Sequence, residues 1–300
     1  MYPSETPTEV ARFPRERDRF VWKDQYTYYL LILPAVAYIV ILSFYPAALA
    51  VYKSFFSPHG VLGLSNYQSV VSQGLGTSIV DTVIVSLGAL AIQFFHALGI
   101  AVVLTKKFAG KAAFSTIMIL PFGVATVVSA FIFSTIFSAV GGFANSFLRL
   151  LGLHAVNWYY SRFSEMGVVM FSDSWKNTPL VALIMLSGLS SLSPTIQEAA
   201  LIDGAGPARR FWHVILPNVK STLAIAMMIR GVSEFNIFAL PLVLIGYHPI
   251  LLTTLVYQNY NLYSPTIYYA YAAAVILLIF ILAFASVILV MGGVRQYEAQ

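Results

Sequence analysis

Six long apolar runs, divided by shorter polar stretches, make up most of this chain. They cover residues 28–51, 79–104, 113–137, 166–189, 219–245 and 268–291. A helix that crosses a bilayer needs about 20 consecutive, mostly apolar residues, and every run is long enough. The runs are apolar on all sides. Six buried helices of a soluble bundle would instead show polar faces at the helical period. The pattern predicts an all-α, polytopic membrane protein with six transmembrane helices over residues 27–293. Two polar tails, 1–26 and 294–300, flank them. The first carries Arg12, Arg15, Arg17, Arg19 and Lys23 among five acids, a mixture that predicts at least partial disorder. No small-residue cleavage site follows the first run, which therefore reads as a retained span.

Charge sets the orientation. With the first tail inside, the cytoplasmic segments hold twelve basic residues: the five above, Lys106, Lys107, Lys111, Arg209, Arg210, Lys220 and Arg295. The outer segments hold three, Lys53, Arg149 and Arg162. Lys and Arg concentrate on the inner side of membrane proteins, so both termini are expected in the cytoplasm. The net charge of +5 then needs no nucleic-acid partner, because the basic residues sit at span ends and form no patch. Composition agrees with a bilayer protein. The chain is 59% hydrophobic and 10% charged, against about 45–50% and about 25% in soluble domains. Its 18 Tyr and 22 Phe suit interfacial belts and lipid-facing surfaces. The absence of cysteine excludes disulfides, thiolate metal sites and Cys nucleophiles. The outer loops at 52–78, 138–165 and 246–267 are longer than simple connectors, with room for an outer partner or a gate.

Between the fourth and fifth runs, residues 190–217 form a polar island on the cytoplasmic side. Ser193-Pro194 reads as a helix start, with Ser as the cap and Pro in the first turn. Ile196, Ala199, Ala200 and Ile202 give that helix small and apolar groups. Gly204 stops it, and Gly206-Pro207 opens a second element bearing Arg209, Arg210, Phe211, Trp212 and His213. Pro217 is expected to end that element where the fifth run begins. A hairpin lying on lipid headgroups is one interpretation. Glu198 and Asp203 suit an anionic leaflet poorly, and the two alanines favour close helix approach, so docking of a protein partner is the better one.

The order Glu198-Ala199-Ala200, then Gly204, then Val214-Ile215-Leu216-Pro217 resembles the signature loop of ABC importer permeases. Val214 stands where that pattern usually has Ile. Three further stretches are similar to carbohydrate-type members, the maltose, trehalose and glycerol-phosphate permeases. They are Gly63-Leu64-Ser65-Asn66-Tyr67, Trp175-Lys176-Asn177-Thr178-Pro179 and residues 230–238. Ile245-Gly246-Tyr247-His248-Pro249 departs from the Thr-Gly-Gly-rich turn of such proteins, so the outer loop there is expected to differ in shape. The resemblance covers most of the chain after residue 27. It implies that Glu198, Ala199, Ala200, Asp203, Gly204 and Pro217 belong to a coupling helix loop seated in a groove of an ATPase subunit. It also implies two ATP-binding subunits, a second homologous permease subunit and an extracytoplasmic solute-binding protein. The implied substrate is a sugar such as a disaccharide, and the implied place is the cell membrane of a prokaryote, in contact with its lipid. ATP and Mg would bind the partner ATPases, and no cofactor would bind this chain.

An ionised side chain at the bilayer centre costs about 2.5–3.5 kcal/mol or more, so each one needs a reason. The fourth run holds Asp173, Lys176 and Asn177. Asp173 and Lys176, three apart, are placed to pair on one helical face, and Pro179 interrupts the backbone ladder beyond them. Such a segment faces a cavity or neighbouring helices rather than lipid. Arg230 and Glu234 in the fifth run are four apart and also placed to pair. For these four a structural role is at least as good as a functional one. Sugars are held by amide and carboxylate hydrogen bonds and by aromatic faces. That makes Asn177, Phe235, Asn236 and Phe238 candidates for a substrate pathway. Gln93 and His96 sit in the middle of the second run, and His96 has no companion ligands at useful spacing, so no metal site is expected. Pro121 and Gly123 are expected kink and packing positions in the third run.

The chain contains no Gly-x-x-x-x-Gly-Lys-Ser/Thr loop, no Gly-x-Ser-x-Gly and no His-Glu-x-x-His. No catalytic residue is assigned, and an enzyme is not expected. Energy for active transport has to come from a partner. The alternative is a stand-alone secondary transporter or channel. It predicts internal repeats and a site complete within the chain; no convincing repeat is visible, and the hairpin would have no use.

Overall fold

The computed structural model describes residues 22–261 and 266–292. Apart from one isolated bridge between Phe56 and Leu62, every regular element among them is helical. The tail expected at 294–300 and most of that at 1–26 lie outside the described residues. Residues 22–26 are already helical, so the first helix starts ahead of its expected boundary. The chain divides into two compact units at Leu49.

In the first unit, α1 (Trp22–Ile39), a π turn (Val40–Phe44) and the start of α2 (Tyr45–Ser54) form one helical run. Its stretch Tyr28–Ser54 is long and apolar enough to cross a membrane. The π turn ends two residues before Pro46. Proline lacks an N–H, and its ring crowds the carbonyl four residues back. Widening the ladder to five-residue spacing lets the run pass the proline unbroken, and the Tyr45 N–H accordingly bonds the Val40 carbonyl.

The second unit opens with α3 (Ser65–Ser72), tied down by the first of the sequence motifs. The buried Asn66 amide donates to the carbonyls of Ser54 and Phe56, each at 2.8 Å. The Tyr67 and Ser54 hydroxyls pair at 2.8 Å. Next comes α4 (Leu75–Leu104), 30 residues long. The third apolar run is not the single helix expected. It consists of α5 (Lys111–Ile119), a 3-10 turn (Leu120–Gly123) and α6 (Thr126–Ile136), bent by 100°. Pro121 withholds a donor, and Val124 and Ala125 then adopt extended backbone, which ends the ladder outright. The kink read from Pro121 and Gly123 is thus a full break.

After α7 (Phe143–Leu150), the buried Asn145 staples the following loop. Its side chain donates to the carbonyls of Ala139 and Val156 and accepts from the Val156 amide and the Trp158 indole. A Ser161 capping box then starts α8 (Arg162–Ser190). The hairpin follows as α9 (Pro194–Ile202), α10 (Pro207–Arg210) and a π turn (Phe211–Ile215) leading into α11 (Leu216–Phe235). Beyond a break at residues 236–238 come α12 (Ala239–Ile245), α13 (Leu252–Asn261) and α14 (Ile267–Gly292). Pro241 cannot donate to the Ile237 carbonyl, and the Thr253 hydroxyl does so instead at 2.6 Å.

Four runs are long and apolar enough to cross a membrane: Tyr28–Ser54, Leu75–Leu104, Pro207–Phe235 and Ile267–Met291. The bent third pair makes a fifth if counted as one. α8, with 29 residues, has the length, but its buried polar groups dilute its hydropathy.

Two of the unit's three apolar clusters lie around α4, α8 and α11, and the third packs α13 and α14 on α3, the start of α4 and the end of α11. Toward the hairpin, Ala97, Ala101, Val181, Met185, Leu223 and Ala226 pack together. Toward the other end, Val85, Phe133, Val169, Ile237 and Leu240 do. Small residues set the helix spacing, as in other membrane bundles. A Cβ at Gly188 of α8 would lie within 3.0 Å of three atoms of Thr222 on α11, the Cβ among them. A β-branched side chain has little freedom to swing aside. Gly188→Val is therefore expected to part α8 from α11 and destabilise the protein by about 1–3 kcal/mol. Thermal unfolding of the purified protein would show a lowered midpoint, partly restored by adding Thr222→Ala.

Candidate functional site

A polar layer separates the first two of these apolar clusters. Counting along the helices, Gln93 falls between Val85 and Ala97, Asp173 and Asn177 between Val169 and Val181, and Arg230 and Glu234 between Ala226 and Ile237. All five side chains are buried. The Arg230 guanidinium donates to Asp173 Oδ2 at 2.8 Å, to Glu234 Oε1 at 2.5 Å and to Gln93 Oε1 at 3.0 Å. The Gln93 amide nitrogen donates to Asp173 Oδ2 at 3.0 Å and to Glu234 Oε1 at 2.6 Å. The Asn177 amide donates to Asp173 Oδ1 at 2.9 Å. Three helices are thereby joined through one guanidinium.

The i, i+4 pairing of Arg230 with Glu234 is as the sequence predicts. The pairing of Asp173 with Lys176 is not what forms. Asp173 turns to Arg230, whose planar fork reaches two carboxylates at once. Lys176 instead places its ammonium 5.6 Å from the centre of the Phe122 ring, a cation–π contact with the broken third run. Gln93 is the residue whose part the sequence reading missed. An amide carries both donors and an acceptor, and Gln93 uses both, accepting from the guanidinium while donating to the two carboxylates. Its signal in the sequence was only its polarity within an apolar run.

A second ion pair, Arg162 with Asp81, joins the start of α8 to α4 at the end away from the hairpin. Glu165 and His248 line the same cavity. Burial pushes the Glu165 carboxyl above the usual carboxylate range, and His248 pulls it partly back.

The four candidate pathway residues do not converge. Asn177 belongs to the polar layer. Phe235 is buried against Phe284, ring centres 5.2 Å apart. Phe238 meets Tyr257 edge-on at 4.9 Å. Asn236 is exposed at the helix break, its amide donating to the Val232 carbonyl at 3.0 Å. A cavity of about 450 Å³ does open between α4, α8 and the broken third run, lined by His96, Pro121, Phe171, Trp175 and Thr178 among others. Of the fourth-run motif, Trp175, Thr178 and Pro179 reach it.

The hairpin is built as two helical arms around Gly204. At the end of α9 the Ala205 N–H bonds the Ala200 carbonyl and the Gly204 N–H bonds the Leu201 carbonyl, each at 3.0 Å. That is a Schellman turn, which needs a left-handed residue at its corner; Gly204 has φ +73°. Ser193 occupies the cap position of α9, but its side chain makes no capping hydrogen bond. Ala200 is buried, whereas Glu198, Ala199, Asp203, Gly204 and Pro217 are exposed. Ile202 is 87% exposed and Trp212 60%, so the hairpin presents apolar surface with no partner among the described residues.

Pro217 does not end the second arm as expected. The π turn at Phe211–Ile215 carries the helix past it, with the Leu216 N–H bonding the Phe211 carbonyl. The Asn218 amide donates to the Val214 carbonyl at 2.6 Å. Pro207–Phe235 is consequently one helical run of 29 residues. It reaches from the hairpin to the polar layer.

The family described as the binding-protein-dependent transport system inner membrane component matches residues 97–291, which include the hairpin. The chain belongs to that family. This permease is 30% identical over 281 residues to the trehalose/maltose transport system permease protein of Thermococcus litoralis, covering 89% of this chain and 94% of the relative. It is 26% identical to the trehalose transport system permease protein of Mycobacterium tuberculosis strain H37Rv, covering 78% and 77%. A bacterial alginate ABC transporter, crystallised with its alginate pentasaccharide-bound periplasmic protein, has the same fold. The TM-score is 0.72 at 21% identity, over 92% of this chain and 96% of that one. The permease is the membrane subunit of an ABC importer, and ATP hydrolysis falls to a separate subunit. That removes the stand-alone transporter or channel.

Burying charges makes the polar layer asymmetric toward mutation. Arg230→Met leaves two carboxylates without their cation and is expected to cost about 3–5 kcal/mol. Replacing the set together, Asp173→Asn, Arg230→Met and Glu234→Gln, is expected to recover much of that loss. Thermal unfolding in detergent or nanodiscs would separate the two.

Proposed function

We propose that this permease carries a sugar across the cell membrane of a prokaryote, with six spans and both termini in the cytoplasm. Residues 27–293 then form the transmembrane domain, and the hairpin at 190–217 lies inside. The sugar assignment is supported by relatives named for trehalose and maltose transport. A neutral polyol also suits the uncharged surface at the helix break, where Asn236 and Phe238 stand, and the Trp175 cavity beside Asn177. Phe235 supports that break from behind by packing on Phe284.

The observation that carries the mechanism is the unbroken helix from the hairpin to the polar layer. An ATPase subunit that grips Glu198, Ala199, Ala200, Asp203 and Gly204 moves the second arm through the Schellman turn, and Pro217 rides within that arm. Since the arm continues as α11, the motion reaches Arg230 and Glu234 directly. Those side chains, with Asp173, hold α4 and α8 in register, so the three helices rock as one body between outward- and inward-facing states. ATP and Mg act on two partner ATPases. A second, homologous permease subunit completes the pathway, and an extracytoplasmic binding protein delivers the sugar; the alginate transporter's complex with a pentasaccharide-bound periplasmic protein supports that part.

Two measurements test this. Gly204→Val forces a left-handed conformation on an L side chain at about 1–2 kcal/mol, and Glu198→Lys reverses a charge on the docking face. Both are expected to reduce co-purification with the ATPase and to depress sugar uptake; full assembly and uptake in both would refute the coupling role. Asn236→Ala is expected to raise the KM for sugar uptake while leaving assembly intact. Unchanged kinetics for trehalose and maltose would remove Asn236 from the pathway.

A further inference from the structure

The ends of α4 and α8 and the second arm of the hairpin enclose a cavity of about 590 Å³. Lys106, Arg210, Thr105 and Ser190 give it a polar rim, and no acidic residue lines it. Its wall is apolar, formed by Leu189, Leu192, Phe211 and Ile215 with Val102. Neither Lys106 nor Arg210 makes an ion pair among the described residues. The Nε of Arg210 is buried and has no hydrogen-bond partner. A buried, unpaired donor on a permanent cation calls for an acceptor. Two cations at the mouth of an apolar wall, at the end of a membrane helix, match one chemistry: a phosphate anion carried on an acyl chain.

We propose that this cavity binds the headgroup of an anionic phospholipid. Lys106 and Arg210 take the phosphate, and the apolar wall takes the start of the chain. A free phosphate ester would satisfy the cations but leave the wall unfilled. Lys106 lies two residues past the end of α4 and Arg210 in the hairpin, so a bound headgroup ties the hairpin's second arm to the bundle. Occupancy then biases the equilibrium between the hairpin positions through which the ATPase acts. The proposal rests on the inward-facing hairpin for naming the leaflet.

The test uses the assembled transporter in nanodiscs of phosphatidylcholine doped with phosphatidylglycerol. Native mass spectrometry reads retained lipid, and ATPase activity is followed in parallel. Wild type is expected to retain phosphatidylglycerol over phosphatidylcholine. Lys106→Gln and Arg210→Gln are each expected to weaken that retention about fivefold. Lys107→Gln and Arg209→Gln remove the same charge from exposed positions outside the cavity and are expected to leave retention unchanged. An equal loss in all four variants would reduce the effect to general surface charge and overturn the site. Displacement by soluble glycerol phosphate, with no lipid retained, would place a soluble phosphate ester there and overturn the lipid assignment. Retention is read directly on the permease. A failed ATPase-coupling role and a failed lipid site are therefore separate results.

Discussion

One guanidinium, buried between two apolar clusters, governs this bundle. Arg230 cannot shed its charge, and leaving it unpaired in an apolar medium costs more than any single packing contact returns. It is therefore met by Asp173 from α8, Glu234 from its own helix and Gln93 from α4. These bonds are directional and short, and a slip of one turn in any of the three helices would break them. Apolar packing on either side tolerates small shifts, whereas the polar layer does not. It sets the register for α4, α8 and α11, and the two apolar cores fill in around it.

Register matters because one of those helices leaves the bundle. The arm that begins at Pro207 passes Pro217 without a break and arrives at Arg230 as a single element. A hairpin loosely hinged at Pro217 would absorb a partner's push in the hinge. The π turn removes that hinge, at the modest cost of one widened turn. Gly204 provides a tight corner, and it lies between the arms, away from the connection to α11. Ile202 and Trp212 leave apolar surface exposed on the two arms.

Much of this was legible in the sequence because hydrophobicity in a membrane protein is coarse and cumulative. The apolar runs around α4, α8, α11 and α14 declare themselves by length, and the hairpin by its Ser-Pro, Gly and Gly-Pro punctuation. What the sequence could not show was which distant group answers a buried charge. Spacing favoured Lys176 for Asp173, yet Arg230, on another helix, makes two contacts where Lys176 would make one. Proline was the other obstacle. A lone Pro in an apolar run is compatible with a break, a π turn or an α-helix that runs on, and Pro179, expected to interrupt the fourth run, sits inside the unbroken α8. At Pro121 the chain turns through 100°, while at Pro46 and Pro217 it runs on through a π turn.

That difference divides the bundle into parts with separate mechanical characters. At the hairpin end, α11 is continuous and its neighbours are locked to it by the polar layer. Past that layer the same chain breaks at residues 236–238, and the short α12 packs on the equally broken third run through α6. The Ile237 carbonyl at the break accepts from Thr253, and the Leu252 amide at the start of α13 donates to Thr82 of α4. Such side-chain bonds can exchange partners without unwinding a helix. A displacement of the rigid end therefore need not be copied faithfully beyond the polar layer. It can be converted there into a rearrangement of short elements, which is where a pathway that opens to alternate sides has to change shape.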